Sequence, residues 1–326
     1  YYFMHNIAWY CDPDVMILRD PLPLSQARAW ATLQGLTGQS LLTSDRYPDL
    51  TEERLEILKK VSPAVDVRPL DLFPSERTKP MWDLKVNHLG RNYDIVAVFN
   101  VDENETQRHL VSWEELEIQE AERVHLFDFW KGEYLGVWEK GYMAEVPPAS
   151  CQVLTLLPDN GKIRLISTNR HITQGWLDLE SAEFDASSNT YRGKSHVIAG
   201  DEYELSFAFP RGKNFKITQA EAGKYPVKIQ NYPTWAKLSF TPEKTGAVSW
   251  EIAFESCEDY HYAPGTPANL CAKQTGWFDA LASWNDNYDL CSGYRFYLDG
   301  ELLGYTPVSR FPMHDLEPGK TYRIEV

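Results

Sequence analysis

Trp9-Tyr10-Cys11-Asp12-Pro13-Asp14-Val15-Met16-Ile17 sets two acids, spaced i, i+2 around a proline, between two apolar runs. In extended backbone, residues i and i+2 share a side. The spacing therefore predicts that Asp12 and Asp14 present their carboxylates together at a strand end. Pro13 fixes φ and removes a backbone donor, which is expected to stop the strand there. A strand ending in acids and followed by a helix is how a (β/α) barrel lines its mouth. The same residues also suit a loop in which each carboxylate accepts nearby amides. Both readings stand on the residues alone.

The flanking sequence continues as a barrel's last turn would. Pro23-Leu24-Ser25 opens a helical pattern in which Leu24, Ala27, Ala31 and Gln34 form one stripe, with Trp30 and Leu33 beside it. Gly38 is placed to stop that helix. Ser40 to Asp45 is expected to be a loop or a short extended piece. Thr51 can cap a second helix running to Val61, with Glu52 and Glu53 where the dipole favours acids. Lys59 and Lys60 fall in its last turn, and Pro63 ends it.

These residues carry a resemblance. Trp9 to Ile17 is similar to the Asp-Pro-Asp motif after the late barrel strands of α-galactosidases, glycoside hydrolase families 27 and 36. Leu36-Thr37-Gly38, Leu41-Leu42-Thr43-Ser44-Asp45 and Leu50 through Lys59 resemble the helix, loop and helix that close that barrel. Pro63, Asp71-Leu72-Phe73, Met81-Trp82 and Val96-Ala97-Val98-Phe99-Asn100 resemble the entry into the C-terminal β-sandwich of the same enzymes. The likeness runs over roughly residues 1 to 158. Cys11 departs from it, since a polar residue such as Asn is commoner there.

The resemblance implies a mainly β chain: the last β/α unit of a (β/α)8 catalytic barrel over residues 1–62, then an antiparallel β-sandwich over 63–160. It implies that Trp9, Tyr10, Asp12 and Asp14 stand at the substrate-binding rim of the active site, and that no catalytic residue is present. Retaining glycosidases use two carboxylates about 5 to 5.5 Å apart, and in these families both sit on earlier barrel strands. The chain lacks an initiator Met and begins inside an apolar run. One barrel strand cannot close the eight-stranded barrel. The expectation is thus the C-terminal portion of a longer retaining glycosidase, inactive alone, whose partners are the missing N-terminal barrel part of the same protein and an oligo- or polysaccharide with α-linked galactose. A related glycosidase of the same clan, an α-N-acetylgalactosaminidase or a β-L-arabinopyranosidase, stays open. So does a non-catalytic sandwich array that binds carbohydrate or spaces other modules.

Composition agrees with several globular domains. At ~150 residues per domain, 326 residues imply two to three. A hydrophobic share of 43% supports real cores, and an aromatic share of 13% favours β-structure. A net charge of −15 argues against nucleic acid, because little cationic surface is available to release counterions. No run of 18 apolar residues marks a membrane span. The expected location is secreted or periplasmic, although no signal peptide is visible. Cys257 and Cys271 flank a Pro/Gly-bearing loop and either bridge or stay free; Cys291 adds no framework. No spacing supports zinc, and no cofactor is expected.

Beyond residue 63 the period becomes 2. Strands are expected at 93–100, 125–130 and 150–158, then at 203–210, 225–229, 236–240 and 248–254 in a second sandwich over 161–256. Trp113, Trp130 and Trp138 suit core packing better than a sugar site. Ser167 to Gly175 is expected to be a polar linker leading into a strand start, with His171 at a surface or interface. Residues 257–326 resemble an incomplete fibronectin type III module. The likeness rests on Ala282-Ser283-Trp284-Asn285, Gly293 to Gly300 with the tight turn Asp299-Gly300, and Leu316 to a corner tyrosine at Tyr322. Asp286, Asn287 and Asp289 are read as a solvated loop.

Overall fold

A computed structural model describes residues 7–71, 80–118, 123–257, 267–285, 294–306 and 309–326. The expectations at Leu72-Phe73, Asp286, Asn287, Asp289 and Cys291 lie outside them. The chain is mainly β. It opens with β1 (Val15–Met16), α1 (Leu24–Gly35), β2 (Leu42–Thr43) and α2 (Glu52–Val61). β1 and β2 pair in parallel, Val15 opposite Leu42 and Met16 opposite Thr43, so strand, helix and strand form a βαβ crossover.

The helices follow their sequence signals with one difference. α2 starts at Glu52, carries Glu52 and Glu53 in its first turn and Lys59 and Lys60 in its last, and stops at Ser62 before Pro63. Thr51 holds the cap position, but its side chain makes no capping hydrogen bond. α1 ends at Gly35, short of the expected stop. Gly35 is where the helices meet: a Cβ there would lie 2.8 Å from Val61 Cγ1. Gly38 serves the following turn instead, at φ +69°, where a Cβ would sit 2.5 Å from the Val67 carbonyl oxygen.

Next come β3 (Leu70–Asp71), β4 (Met81–His88), β5 (Arg91–Asn100), β6 (Gln107–Ser112), β7 (Arg123–Asp128), β8 (Glu133–Glu139), β9 (Gly141–Val146) and β10 (Ser150–Pro158). Six of them form one sheet in the order β3-β4-β5-β10-β7-β8, while β6 pairs with β9. β5 is buried almost end to end, so its sequence is a continuous apolar run rather than an alternation. One face of the sheet offers Ile95, Ala97, Phe99 and Val153 to the same core that takes Met16, Leu18, Ala27 and Ala31. The βαβ segment and the sheet thus share one interior.

The following strands are β11 (Arg164–Thr168), β12 (Leu179–Asp185), β13 (Thr190–Val197), β14 (Tyr203–Ala208), β15 (Phe215–Ala222), β16 (Lys228–Asn231), β17 (Trp235–Phe240) and β18 (Gly246–Ser256). They form two four-stranded sheets, β11-β14-β17-β16 and β12-β13-β18-β15. Leu205, Phe207 and Leu238 of one sheet and Tyr191, Trp250 and Ile252 of the other enter one aromatic core. Ser167 to Gly175 leaves a strand rather than leading into one, and it is largely buried rather than an open linker. It begins in β11, and His171, Ile172, Thr173 and Gln174 are all fully buried. The reason is local satisfaction. The His171 ring bonds Thr173 Oγ1 at 2.8 Å and the Pro63 carbonyl at 3.1 Å, and Ser167 Oγ donates to Gln174 Oε1. Arg170 donates to the carbonyls of Lys59 and Ser62 at 3.1 Å, placing a cation on the C-terminus of α2.

By packing, one compact unit holds residues 1–109, 125–135 and 144–260, and a second holds 110–124, 136–143 and 261–326. The second contains β19 (Ala268–Gln274), β20 (Ala280–Asn285), β21 (Tyr294–Leu298), β22 (Glu301–Thr306), β23 (Arg310–Met313) and β24 (Ile324–Glu325). They make two three-stranded sheets, β19-β20-β23 and β22-β21-β24, around Trp284, Tyr294, Phe296 and Met313. Asp299 and Gly300, at φ 52° and 86°, form the hairpin turn between β21 and β22. The Glu317 amide donates to the Tyr322 hydroxyl at 2.7 Å.

Candidate functional site

The segment Trp9 to Asp14 enters the fold just before β1, so the strand follows the two acids instead of ending in them. Asp14 takes φ +64°, which breaks the extended alternation that would have aligned the two carboxylates. Each is used locally. Asp12 Oδ1 accepts the Asp14 amide at 3.0 Å, and Asp14 Oδ1 accepts the Val15 amide at 2.7 Å. This is the Asx-type loop geometry that the sequence left open. Trp9 and Tyr10 are 48% and 86% exposed, so the segment presents two aromatic surfaces beside two acids. Gln34, near the end of α1, donates to the carbonyls of Pro13 and Asp14 at 3.5 and 3.3 Å.

Two charged residues hold the connection from β1 into α1. Asp45 accepts the Leu18 amide and the Arg19 guanidinium, each at 2.6 Å, and Arg19 also donates to Ser44 Oγ at 3.2 Å. That gives the Ser44-Asp45 pair a physical role: it closes the loop opposite β1. Arg54 donates to the Leu18 carbonyl, to the Leu22 carbonyl at 2.8 Å and to Asp20 Oδ1 at 2.7 Å. It is buried on the stripe of α2 that carries Ile57 and Val61. Sequence reasoning passed over Arg54, Asp45 and Gln34 as functional positions. The signal for Arg54 was available, because an arginine on an apolar helical stripe needs buried acceptors.

On the sheet, Asn100 anchors a turn. Its amide group donates to the carbonyls of Glu105, Val146 and Pro147, and its oxygen accepts the Asp102 amide. Trp113 is buried. The Trp130 indole donates to Thr32 Oγ1 at 2.9 Å, and Trp138 packs edge-on to Tyr142. Cys151 lies 3.4 Å from Thr32 Oγ1, and burial pushes its thiol up to about 12, so it is not a nucleophile near neutral pH. Among the described residues Cys151, Cys257 and Cys271 form no disulfide.

A charged cluster unforeseen in the sequence lies on β4 and β5. The Lys85 ammonium sits 3.0 Å from Asp83 Oδ2 and 2.7 Å from Asp94 Oδ2. Burial first, and the neighbouring Asp94 charge second, push Asp83 up to about 7. Asp83 is inaccessible to solvent, whereas the Lys85 side chain is 40% exposed. Among the described residues no three His, Cys, Asp or Glu side chains group as metal ligands, and no helix is long and apolar enough to cross a membrane.

Residues 84–156, spanning β4 to β10, match the family model of the alpha galactosidase C-terminal beta sandwich domain. That segment is therefore related to glycoside hydrolases through their C-terminal β-sandwich domain. Among solved structures, a GH27 β-L-arabinopyranosidase from Geobacillus stearothermophilus aligns at 22% identity and a TM-score of 0.37, over 44% of this chain and 32% of that one. Alpha-galactosidase I from Mortierella vinacea aligns at 12% identity and a TM-score of 0.35, over 43% and 37%. An isomalto-dextranase from Arthrobacter globiformis T6, complexed with panose, aligns at 12% and 0.34, over 71% and 48%. The chain thus spans about a third of the length of the first two. No curated protein matches it.

Proposed function

We propose, from the match of residues 84–156 to the α-galactosidase C-terminal β-sandwich, that this chain is the non-catalytic C-terminal portion of a retaining glycoside hydrolase that cleaves α-galactosides. The observation that carries the reading is that match. Packing supports it: the βαβ segment ahead of the matched sheet shares its core through Met16, Ala27 and Ala31. On this reading residues 1–62 are the last β/α unit of a catalytic barrel, 63–160 and 161–256 are sandwich domains, and the barrel's remainder belongs to the same protein. The catalytic carboxylates come from that barrel. Trp9, Tyr10, Asp12 and Asp14 contribute to the rim of the pocket, with the two acids bracing its backbone rather than reacting. The working environment is secreted or periplasmic.

Residues 257–326 are proposed to be a fibronectin type III-like spacer. The sheet orders β19-β20-β23 and β22-β21-β24, the Asp299-Gly300 turn and the bond from the Glu317 amide to the Tyr322 hydroxyl favour it.

The test is hydrolysis of the nitrophenyl α-galactoside, α-N-acetylgalactosaminide and β-L-arabinopyranoside. They are assayed with this chain and with the barrel-bearing protein that its gene encodes. The expected result is no turnover by the chain alone, and α-galactoside cleavage with retained configuration by the barrel-bearing protein. Turnover by the chain alone overturns the assignment of the catalytic groups. Activity only on one of the other two glycosides moves the specificity to that sugar, and activity on none favours the binding or spacer reading.

A further inference from the structure

The outward face of the sheet β12-β13-β18-β15 is hollow. Two neighbouring rows of residues cross it. Ser181 pairs with Lys194 and Lys194 with Ser249, and the Gly223 amide bonds the Ser249 carbonyl at 2.9 Å. Glu183 pairs with Arg192, Arg192 with Glu251 and Glu251 with Glu221. The first row is short wherever it is not lysine, and the second is long. The step between them borders a cleft of about 520 Å³ lined by both rows, by Gly193, by Gly223 and by Trp250. That volume falls within the range of small-molecule sites, about 300–1,000 Å³.

The lining chemistry narrows the ligand. Arg192 meets Glu251 through two parallel bonds, Nε to Oε2 at 2.9 Å and Nη2 to Oε1 at 3.1 Å, which hold both planar groups in place. Lys194 is tethered to Glu180 at 2.7 Å. Glu183, Glu221 and the hydroxyls of Ser181 and Ser249 have no hydrogen-bond partner among the described residues. Donors and acceptors therefore alternate over a few ångströms, and cations sit in mid-sheet between flanking acids. A polyanion meets the acids and a polycation meets the central cations. A lipid or flat aromatic ligand finds no exposed apolar floor, since Trp250 is only 2% exposed. Hydroxyl groups, which both donate and accept, fit this pattern.

We propose that this cleft binds a neutral oligosaccharide. That the sugar carries α-linked galactose rests on the proposed function above; that it is a neutral glycan rests on the cleft alone. Electrophoresis of the full chain through gels containing galactomannan or dextran tests the inference. The variants are S249W, which fills the hollow from an exposed position, and R192A. T218A, on β15 and outside the cleft lining, is the control, and a circular-dichroism melt reports whether each variant folds. Galactomannan is expected to retard the chain and the control. S249W and R192A should raise the apparent Kd at least fivefold with an unchanged melt. Retardation by dextran alone, lost in S249W, supports the cleft while counting against the galactoside reading. No retardation by either polysaccharide, or undiminished retardation of folded S249W and R192A, overturns the proposal.

Discussion

Gly193→Ala isolates the packing that shapes the second sandwich. Gly193 has no left-handed φ, so alanine costs nothing in backbone geometry. By unfolded-state entropy alone it would stabilise by about 0.4–1 kcal/mol. Space decides otherwise. A Cβ at 193 would lie 2.2 Å from Trp250 Cζ2, 2.4 Å from Cη2 and 2.6 Å from the Ser181 carbonyl oxygen. Ordinary contact begins at 3.4 Å, so the indole would have to retreat by 3.4 − 2.2 = 1.2 Å. It has little room. Its Nε1 donates to Ser195 Oγ at 2.9 Å, and its ring packs 6.4 Å from those of Tyr191 and Phe207. Overpacking costs about 1–3 kcal/mol, and straining one buried hydrogen bond adds about 0.5–1.5 kcal/mol. Against the entropy gain the net is a destabilisation of about 2 kcal/mol. Urea unfolding measures it, and hydrogen exchange of the β13 and β18 amides assigns it to this sandwich. Combined with Trp250→Leu, the alanine penalty should shrink without vanishing, because the Ser181 carbonyl still lies 2.6 Å from the new Cβ; the expected coupling is about 1 kcal/mol. A stabilised Gly193→Ala, or a penalty unchanged by Trp250→Leu, would refute the reasoning.

Arg54→Met removes the donors to the Leu18 and Leu22 carbonyls and should destabilise by about 2–4 kcal/mol in thermal melts, with Arg54→Lys recovering little because the ammonium lacks the fork. Asp83, pushed from an ordinary 3.8 up to about 7, binds a proton more readily folded than unfolded. Its contribution is therefore fully present below about pH 4 and lost as pH rises to 7, and Asp83→Asn should remove that fall from urea midpoints taken across the window. His171 has the opposite sign: burial lowers it from 6.5 to about 4, so stability is lost as pH falls through that interval, and His171→Gln should flatten that limb. In the barrel-bearing protein, Asp12→Asn should raise KM or lower Tm while keeping appreciable kcat; a trapped glycosyl intermediate on Asp12 or Asp14 would show these acids to be catalytic.

Sequence alone determined the features that local rules govern. Glu52 and Glu53 ahead of Lys59 and Lys60 marked both ends of α2, because a helix dipole selects those charges without help from the rest of the chain. The run Ser150 to Pro158 was legible to the residue, because a strand buried in mid-sheet needs apolar side chains on both faces. Asp299-Gly300 announced its hairpin through residues that tolerate positive φ. The Val96 to Asn100 pattern carried the family likeness that the match over residues 84–156 shows. Tertiary structure decided the rest. The sequence places His171 at a surface or interface; it is fully buried against the end of α2, because the carbonyl it bonds belongs to Pro63, 108 positions away. Asp12 and Asp14 looked aligned, yet a positive φ at Asp14 turned them to their own amides. The cleft above β13 has a lining that includes Ser181, Lys194, Ser249 and Gly223, far apart in sequence, which fall side by side when four strands pair. Local signals set helix ends, turns and buried strands through short-range energies. Which distant polar atoms meet is set by strand register, and register belongs to the folded chain as a whole.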